Sequence, residues 1–169
     1  MKFCPMCGMS QSKAGIPVCE WCDYEEKPLK ELSREEISEL LAAYEYERTA
    51  DGVRILAVKN IRLRGKIAIP HFVTEIGAKA FSSCKFIARI DLPKGLRRIG
   101  EGAFAHCRDL FDVFIPAGVE CIGKGAFAHC DDLKVICAEA EAEAEPQGWD
   151  SEWLADCSAC IEWGRADEV

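Results

Sequence analysis

Residues 99–121 read IGEGAFAHCRDLFDVFIPAGVEC, and this 23-residue stretch decides the fold because its framework recurs on both sides. Ile76-Gly77, Ala80-Phe81 and Cys84 return as Ile99-Gly100, Ala103-Phe104 and Cys107, and again as Ile122-Gly123, Ala126-Phe127 and Cys130. Pro70, Pro93 and Pro116 keep the same step. A repeat of this length is one supersecondary unit that buries its apolar face only against its neighbours, so the sequence specifies a stacked solenoid.

Within each repeat the apolar spacing predicts two short extended pieces and one compact helical turn. Ile87-x-x-Ile90-x-Leu92-Pro93 matches Leu110-x-x-Val113-x-Ile115-Pro116, and Leu133-x-x-Ile136 begins the same pattern. The spacing suits an inward-facing strand, and the proline that follows ends ladder donation. The second piece is Val73-x-x-Ile76-Gly77, repeated at Leu96 and at Val119, with glycines where the chain turns with positive φ or approaches a neighbour closely. Phe81, Phe104 and Phe127 fall in the turn and are expected to form a ladder inside the coil.

These residues carry a resemblance. The pattern Ile-Gly-x-x-Ala-Phe-x-x-Cys-x-x-Leu-x-x-Ile-x-Leu-Pro is similar to the BspA-like leucine-rich repeats. Tyr44-Glu45-Tyr46 through Asp51-Gly52 resembles their usual leading segment. Cys137-Ala138-Glu139, Pro146-x-Gly148-Trp149 and Trp153 resemble their closing one. The likeness covers about residues 44–155. It implies a curved repeat array that recognises proteins or surface molecules.

Ahead of the array stands Cys4-Pro5-Met6-Cys7, then Cys19-Glu20-Trp21-Cys22. Two residues between thiolates let a tight turn aim both sulfurs at one point, and two such turns supply four sulfurs, which suits tetrahedral zinc with no open position. The segment resembles a short zinc ribbon, with Zn2+ as a structural cofactor at Cys4, Cys7, Cys19 and Cys22. Rubredoxin-like iron, disulfides or free thiols are the competing uses. So few residues bury too little core to fold alone, and metal would supply the folding free energy, on the order of 10–16 kcal/mol. The start of the chain has no apolar h-region, which points to the cytoplasm, where eleven cysteines stay reduced.

Between ribbon and repeats, Ser33 and Glu36 form a capping box, and Ile37, Leu40, Leu41 and Tyr44 follow at helical spacing. This predicts a helix from about Arg34 to Glu47, ended near Asp51-Gly52, whose apolar face covers the first coil. The chain thus divides into a zinc ribbon (1–25), a linker and capping helix (26–50), a leucine-rich-repeat solenoid (51–138), and an acidic segment with a C-terminal cap (139–169). In class terms it is an α/β protein: a short solenoid of strands and short helical turns with a small zinc ribbon and a connecting helix.

Charge is uneven. Residues 1–50 carry net -4, 51–137 carry +5 and 138–169 carry -9, within a total of -8. No stretch approaches the roughly 20 apolar residues of a membrane helix, so no membrane partner is expected. No Ser-His-Asp set, phosphate-binding glycine loop or dinucleotide fingerprint occurs, and no enzyme is expected. Cys84, Cys107 and Cys130 share one repeat position and read as a buried thiol column. His106 and His129 are also in register, each expected in a solvated bend. Cys157-Ser158-Ala159-Cys160 reads as part of the cap, a redox pair, or half a metal site with Cys137 as the likeliest further donor.

The functional expectation is protein–protein recognition on the outward positions of the strand pattern: Arg89, Asp91, Asp112 and Phe114, an aromatic anchor with a polar rim. The alternative is a nucleic-acid-associated regulator that uses the ribbon and the basic strip Arg62, Arg64, Lys66, Arg97 and Arg98.

Overall fold

The two apolar pieces of each repeat become strands of two different sheets. A computed structural model of the chain describes residues 2–3, 10–11, 32–139 and 146–164. Two short strands, β1 (Lys2–Phe3) and β2 (Ser10–Gln11), pair antiparallel, with Phe3 opposite Ser10. The four ribbon cysteines Cys4, Cys7, Cys19 and Cys22 lie outside the described residues, as do residues 140–145 of the Glu-Ala stretch.

Helix α1 (Arg34–Leu40) starts where its capping box places it. Ser33 Oγ accepts from Glu36 N at 3.1 Å, and Glu36 Oε2 accepts from Ser33 N at 2.8 Å. Ile37 and Leu41 are buried in the common core. The helix does not run on to Glu47. It is capped at Leu41, and Tyr44–Arg48 forms strand β3, antiparallel to β4 (Val53–Val58). Tyr44 is buried, Glu45 exposed and Tyr46 half-buried: a period of two, which suits a strand, overrides the helical spacing of the isolated apolar residues. Asp51-Gly52 is therefore a hairpin turn and not a helix terminator, with Thr49 N donating to Gly52 O at 3.0 Å.

From β4 onward the coils stack. The first sheet runs in the order β10 (Cys121–Ile122), β8 (Arg98–Ile99), β6 (Val73–Ile76), β4, β3. The second runs β12 (Cys160–Trp163), β11 (Val135–Ala138), β9 (Asp112–Ile115), β7 (Phe86–Asp91), β5 (Arg64–Ala68). Within these two sheets all pairs except β3 with β4 are parallel. Strand β12 extends the second sheet by one coil beyond Ala138.

The third side of each coil is a run of tight turns instead of a helix. Ala103 N donates to Gly100 O, Ala105 N to Gly102 O and Cys107 N to Phe104 O, and the same bonds recur one coil earlier and, for Ala126 and Ala128, one coil later. Two left-handed residues per coil break any helix there: Lys79 and Ser83, Gly102 and His106, Gly125 and His129. Between them the backbone turns sideways and bonds the next coil, with Phe81 N to Ala103 O and Phe104 N to Ala126 O, each at 2.8 Å.

Glycines of the Ile-Gly pairs serve close approach, not positive φ. A Cβ on Gly100 would stand 2.5 Å from Ala78 N of the preceding coil, and one on Gly123 2.5 Å from Glu101 N. Phe81, Phe104 and Phe127 form the expected column, each ring 5.2 Å from the next and nearly parallel. Tyr44 closes it at one end (5.8 Å) and Trp153 at the other (5.9 Å). No helix among the described residues is long and apolar enough to cross a membrane.

Candidate functional site

In a parallel strand, alternate side chains leave the core, so the second sheet has an inner face of aliphatic rungs and an outer face free of the repeat's constraints. Ile90, Val113 and Ile136 are aligned and buried. On either side of that rung, two outer rows cross the strands. One is Arg89, Asp112, Val135, Cys160; the other is Asp91, Phe114, Cys137, Glu162. Arg89, Asp91, Asp112 and Phe114 therefore come together on one face, as the strand pattern implied.

Their geometry is fixed by charge. Arg89 Nε lies 3.1 Å from Asp91 Oδ1 on its own strand, and Arg89 Nη1 lies 3.3 Å from Asp112 Oδ2 on the next. A half-exposed pair of this kind stabilises a fold by roughly 0–1 kcal/mol, so its main effect is to hold the guanidinium in one orientation. Phe114 stands beside Asp91 in the adjoining row and is half-buried.

Two further aromatics border this face and were not singled out from the sequence. Phe111 is 56% exposed and Phe86 44% exposed, with the Arg64 guanidinium 5.5 Å from the Phe86 ring centroid. Both occupy variable positions of the repeat pattern, and an aromatic residue at such a position was the available signal.

The other candidates resolve as follows. Cys84, Cys107 and Cys130 are buried, and the thiols of Cys107 and Cys130 donate to Phe81 O and Phe104 O of the preceding coil, each at 3.2 Å. Burial raises the Cys84 thiol to about 11 and Cys130 to about 12. It raises Cys107 as well, helped by its two thiol neighbours. Cys157 continues this ladder: Cys157 N donates to Leu154 O as Cys107 N does to Phe104 O, and burial raises its thiol too. Cys160 sits on the outer face of β12 and is exposed. The two sulfurs of this CxxC thus belong to different environments, and Cys137 approaches Glu162 Oε2 at 3.9 Å.

His106 and His129 are exposed and stack on one another at 4.6 Å, both in the left-handed region. Among the described residues no group of three or more His, Cys, Asp or Glu is placed to hold a metal ion. The basic strip is divided: Arg64 and Lys66 belong to β5 of the second sheet, with Arg62 just before them, whereas Arg98 is on β8 of the first sheet, with Arg97 beside it.

Residues 57–144 match the family described as BspA type Leucine rich repeat region (6 copies). A crystal structure of a leucine-rich repeat protein from Bacteroides capillosus superposes with a TM-score of 0.55 at 25% identity, over 71% of this chain and 94% of that one. A leucine-rich repeat protein from Eubacterium ventriosum superposes at 0.51 and 22% identity, over 73% of this chain and 34% of that one. No curated protein matches the chain.

Proposed function

The chain belongs to the BspA-type leucine-rich repeat proteins, and from that premise we propose that it is a non-catalytic protein-interaction module whose contact surface is the outer face of the second sheet. The observation that carries the reading is the exposed Phe111 and the half-buried Phe114 of one coil, beside the clamped Arg89–Asp91–Asp112 cluster. Aromatic side chains contribute much of the binding energy at protein interfaces and cost little conformational entropy to immobilise. A guanidinium already held by two carboxylates loses little further freedom when a partner docks. The coil-internal thiols suit packing and not catalysis: burial holds them protonated, the opposite of what a nucleophilic cysteine needs.

The ribbon is part of the same proposal. Cys4, Cys7, Cys19 and Cys22 bind one structural Zn2+, which supplies folding free energy and no open coordination position. Four thiolates are the donor set zinc prefers, and the antiparallel pairing of β1 with β2 brackets the first CxxC in sequence. Cys84, Cys107, Cys121, Cys130, Cys157 and Cys160 are free thiols, which fits the reducing cytoplasm.

The test is site-specific photo-crosslinking in native cells. A benzophenone side chain replaces Phe114 in one variant and His106, exposed on the turn side away from both sheets, in a second. Crosslinks to one protein species from position 114, lost when Phe111→Ala and Arg89→Ala are added, support the reading. Equal crosslinking from both positions, or crosslinks to nucleic acid alone, would overturn it.

A further inference from the structure

The outer face of the first sheet carries a second surface, separate from the one just described. Its outward row is an ordered chain of charge. Glu47, Arg54, Glu75, Arg98 and Cys121 are aligned across β3, β4, β6, β8 and β10. Arg54 bonds Glu47 Oε1 and Glu75 Oε2, both at 2.6 Å. Glu75 lies between two arginines in the register, and its Oε2 is given to Arg54 through both Nε and Nη2. Among the described residues Arg98 has no counter-ion within ion-pair distance, and its other neighbour in the row is Cys121. The alternation minus, plus, minus, plus stops one anion short.

Alongside this row runs an open groove of about 630 Å³. Leu56, 41% exposed, stands at one end, and Trp149 of the last coil at the other. Backbone at Gly77, Gly100 and Gly123 forms the floor between them. Coil stacking excludes a Cβ at these positions, so the groove cannot be filled from within the repeat. It crosses five coils, four steps of about 4.8 Å, or about 19 Å, the reach of about six extended residues.

We propose that this groove binds an extended acidic peptide segment of a partner protein. A carboxylate of the peptide pairs with Arg98 and completes the alternating row, as charged hydrogen bonds to a guanidinium fork allow. An apolar side chain beside it lies against the exposed Leu56. Arg54 takes no part, because both of its faces are already bonded.

The probe is a displayed pool of random ten-residue peptides, selected on the full chain at low salt. Enriched sequences are expected to carry Asp or Glu beside an apolar residue. A synthetic, fluorescein-labelled copy should bind in fluorescence anisotropy, and Arg98→Glu should weaken it about tenfold or more. Leu56→Asp, at an exposed position, should weaken the same peptide by a similar factor. Phe114→Ala should leave it unchanged. A charge-reversed peptide, with Lys for the acid, should prefer the Arg98→Glu protein. If no sequence is enriched, or if enriched peptides bind the Arg98→Glu and wild-type proteins equally, the proposal is overturned. Peptides that respond only to Phe114→Ala would overturn it too, while leaving the outer face of the second sheet as the contact surface.

Discussion

Phe104 sits at the centre of the aromatic column, and its removal measures whether the stack holds the molecule together. The ring is 1% exposed and lies 5.2 Å from the Phe81 and Phe127 rings. Phe104→Ala forfeits the transfer free energy of a buried ring and leaves a cavity, typically about 3–5 kcal/mol. Two stacked contacts add roughly 0.5–1.5 kcal/mol each beyond area, which places this site at the upper end. Against a total stability of about 5–15 kcal/mol, the loss is a large fraction. In thermal terms it corresponds to a drop of roughly 10–15 °C for a chain of this size. Phe111→Ala, at a ring 56% exposed, should change stability by less than about 0.5 kcal/mol. Urea unfolding followed by far-ultraviolet circular dichroism reports all coils. Tryptophan fluorescence weights the last one, where Trp149, Trp153 and Trp163 cluster. Because repeat stacks are coupled mainly through nearest neighbours, a gap at Phe104 should separate the two transitions as well as lower the midpoint. Should the alanine variant not fold, Phe104→Leu, at about 1–2 kcal/mol, supplies the same ordering. A Phe104 loss no larger than the Phe111 loss would refute the column as the principal source of stability.

Two glycines two residues apart should behave differently. Gly100→Ala forces a Cβ to 2.5 Å from Ala78 N and should destabilise strongly. Gly102→Ala meets only side-chain atoms, at 3.4 Å or more, and should cost about 1–2 kcal/mol for its left-handed backbone, a conformation Lys79 already adopts one coil earlier; urea midpoints decide. Maleimide at pH 7.5 should label Cys160 in the native protein, and Cys84, Cys107 and Cys130 only in urea, as peptide mapping would show. The same burial makes stability alkali-sensitive. The folded pKa values of Cys84 and Cys130 are raised to about 11 and about 12 from an ordinary 9.0, so the unfolded chain loses these protons first. Their stabilisation is therefore full below about pH 9 and lost as pH climbs through 11 to 12, with Tyr44, raised to about 12 by burial, adding to the loss above pH 10. Cys130→Ala should flatten that decline in urea midpoints measured at stepped pH. Metal analysis should find one zinc per chain, and Cys4→Ser with Cys7→Ser should abolish it; zinc retained in that variant would remove the ribbon assignment.

Legibility followed the stack. Positions that face neighbouring coils must repeat, because each side chain meets its own copy one turn away. The Phe column, the thiol ladder and the aliphatic rungs were therefore readable from the 23-residue step alone. Readability failed where that coupling stops. Tyr44–Arg48 has no earlier copy to compare with, and four apolar residues at helical spacing masked the alternation of Tyr44, Glu45 and Tyr46 that makes it a strand. The turn columns were read as helical because Ala-Phe carries no mark of the left-handed residues around it. Lys79, Ser83, His106 and His129 adopt that backbone without being glycine, supported by the bonds that Lys79, Ser83 and His106 make to the next coil. At the far end the step changes. Ile122 pairs with Trp149, and Cys157, not a residue 23 positions past Cys130, extends the thiol ladder. An altered step hides a copy from a fixed-period search even when the coil itself persists.

The same logic locates individuality in this chain. Across the second sheet the inner rung reads Ile90, Val113, Ile136 and Ile161, nearly one residue type, while the outer row beside it reads Lys66, Arg89, Asp112, Val135 and Cys160. Packing constrains the first row and leaves the second free, so nothing in the stack requires an arginine at position 89 or a phenylalanine at 114. The exposed ion cluster repays little as stability, and Phe111 keeps more than half of its surface in water. A residue that the fold neither needs nor shelters is where a contact with another molecule can be written without disturbing the coil. If that is the principle at work, Arg89→Ala and Phe111→Ala together will leave the urea midpoint within about 0.5 kcal/mol of the wild type while removing the crosslink from position 114. A pair of substitutions that unfolds the chain instead would show these side chains to be structural, and the outer face would lose its claim as a binding surface.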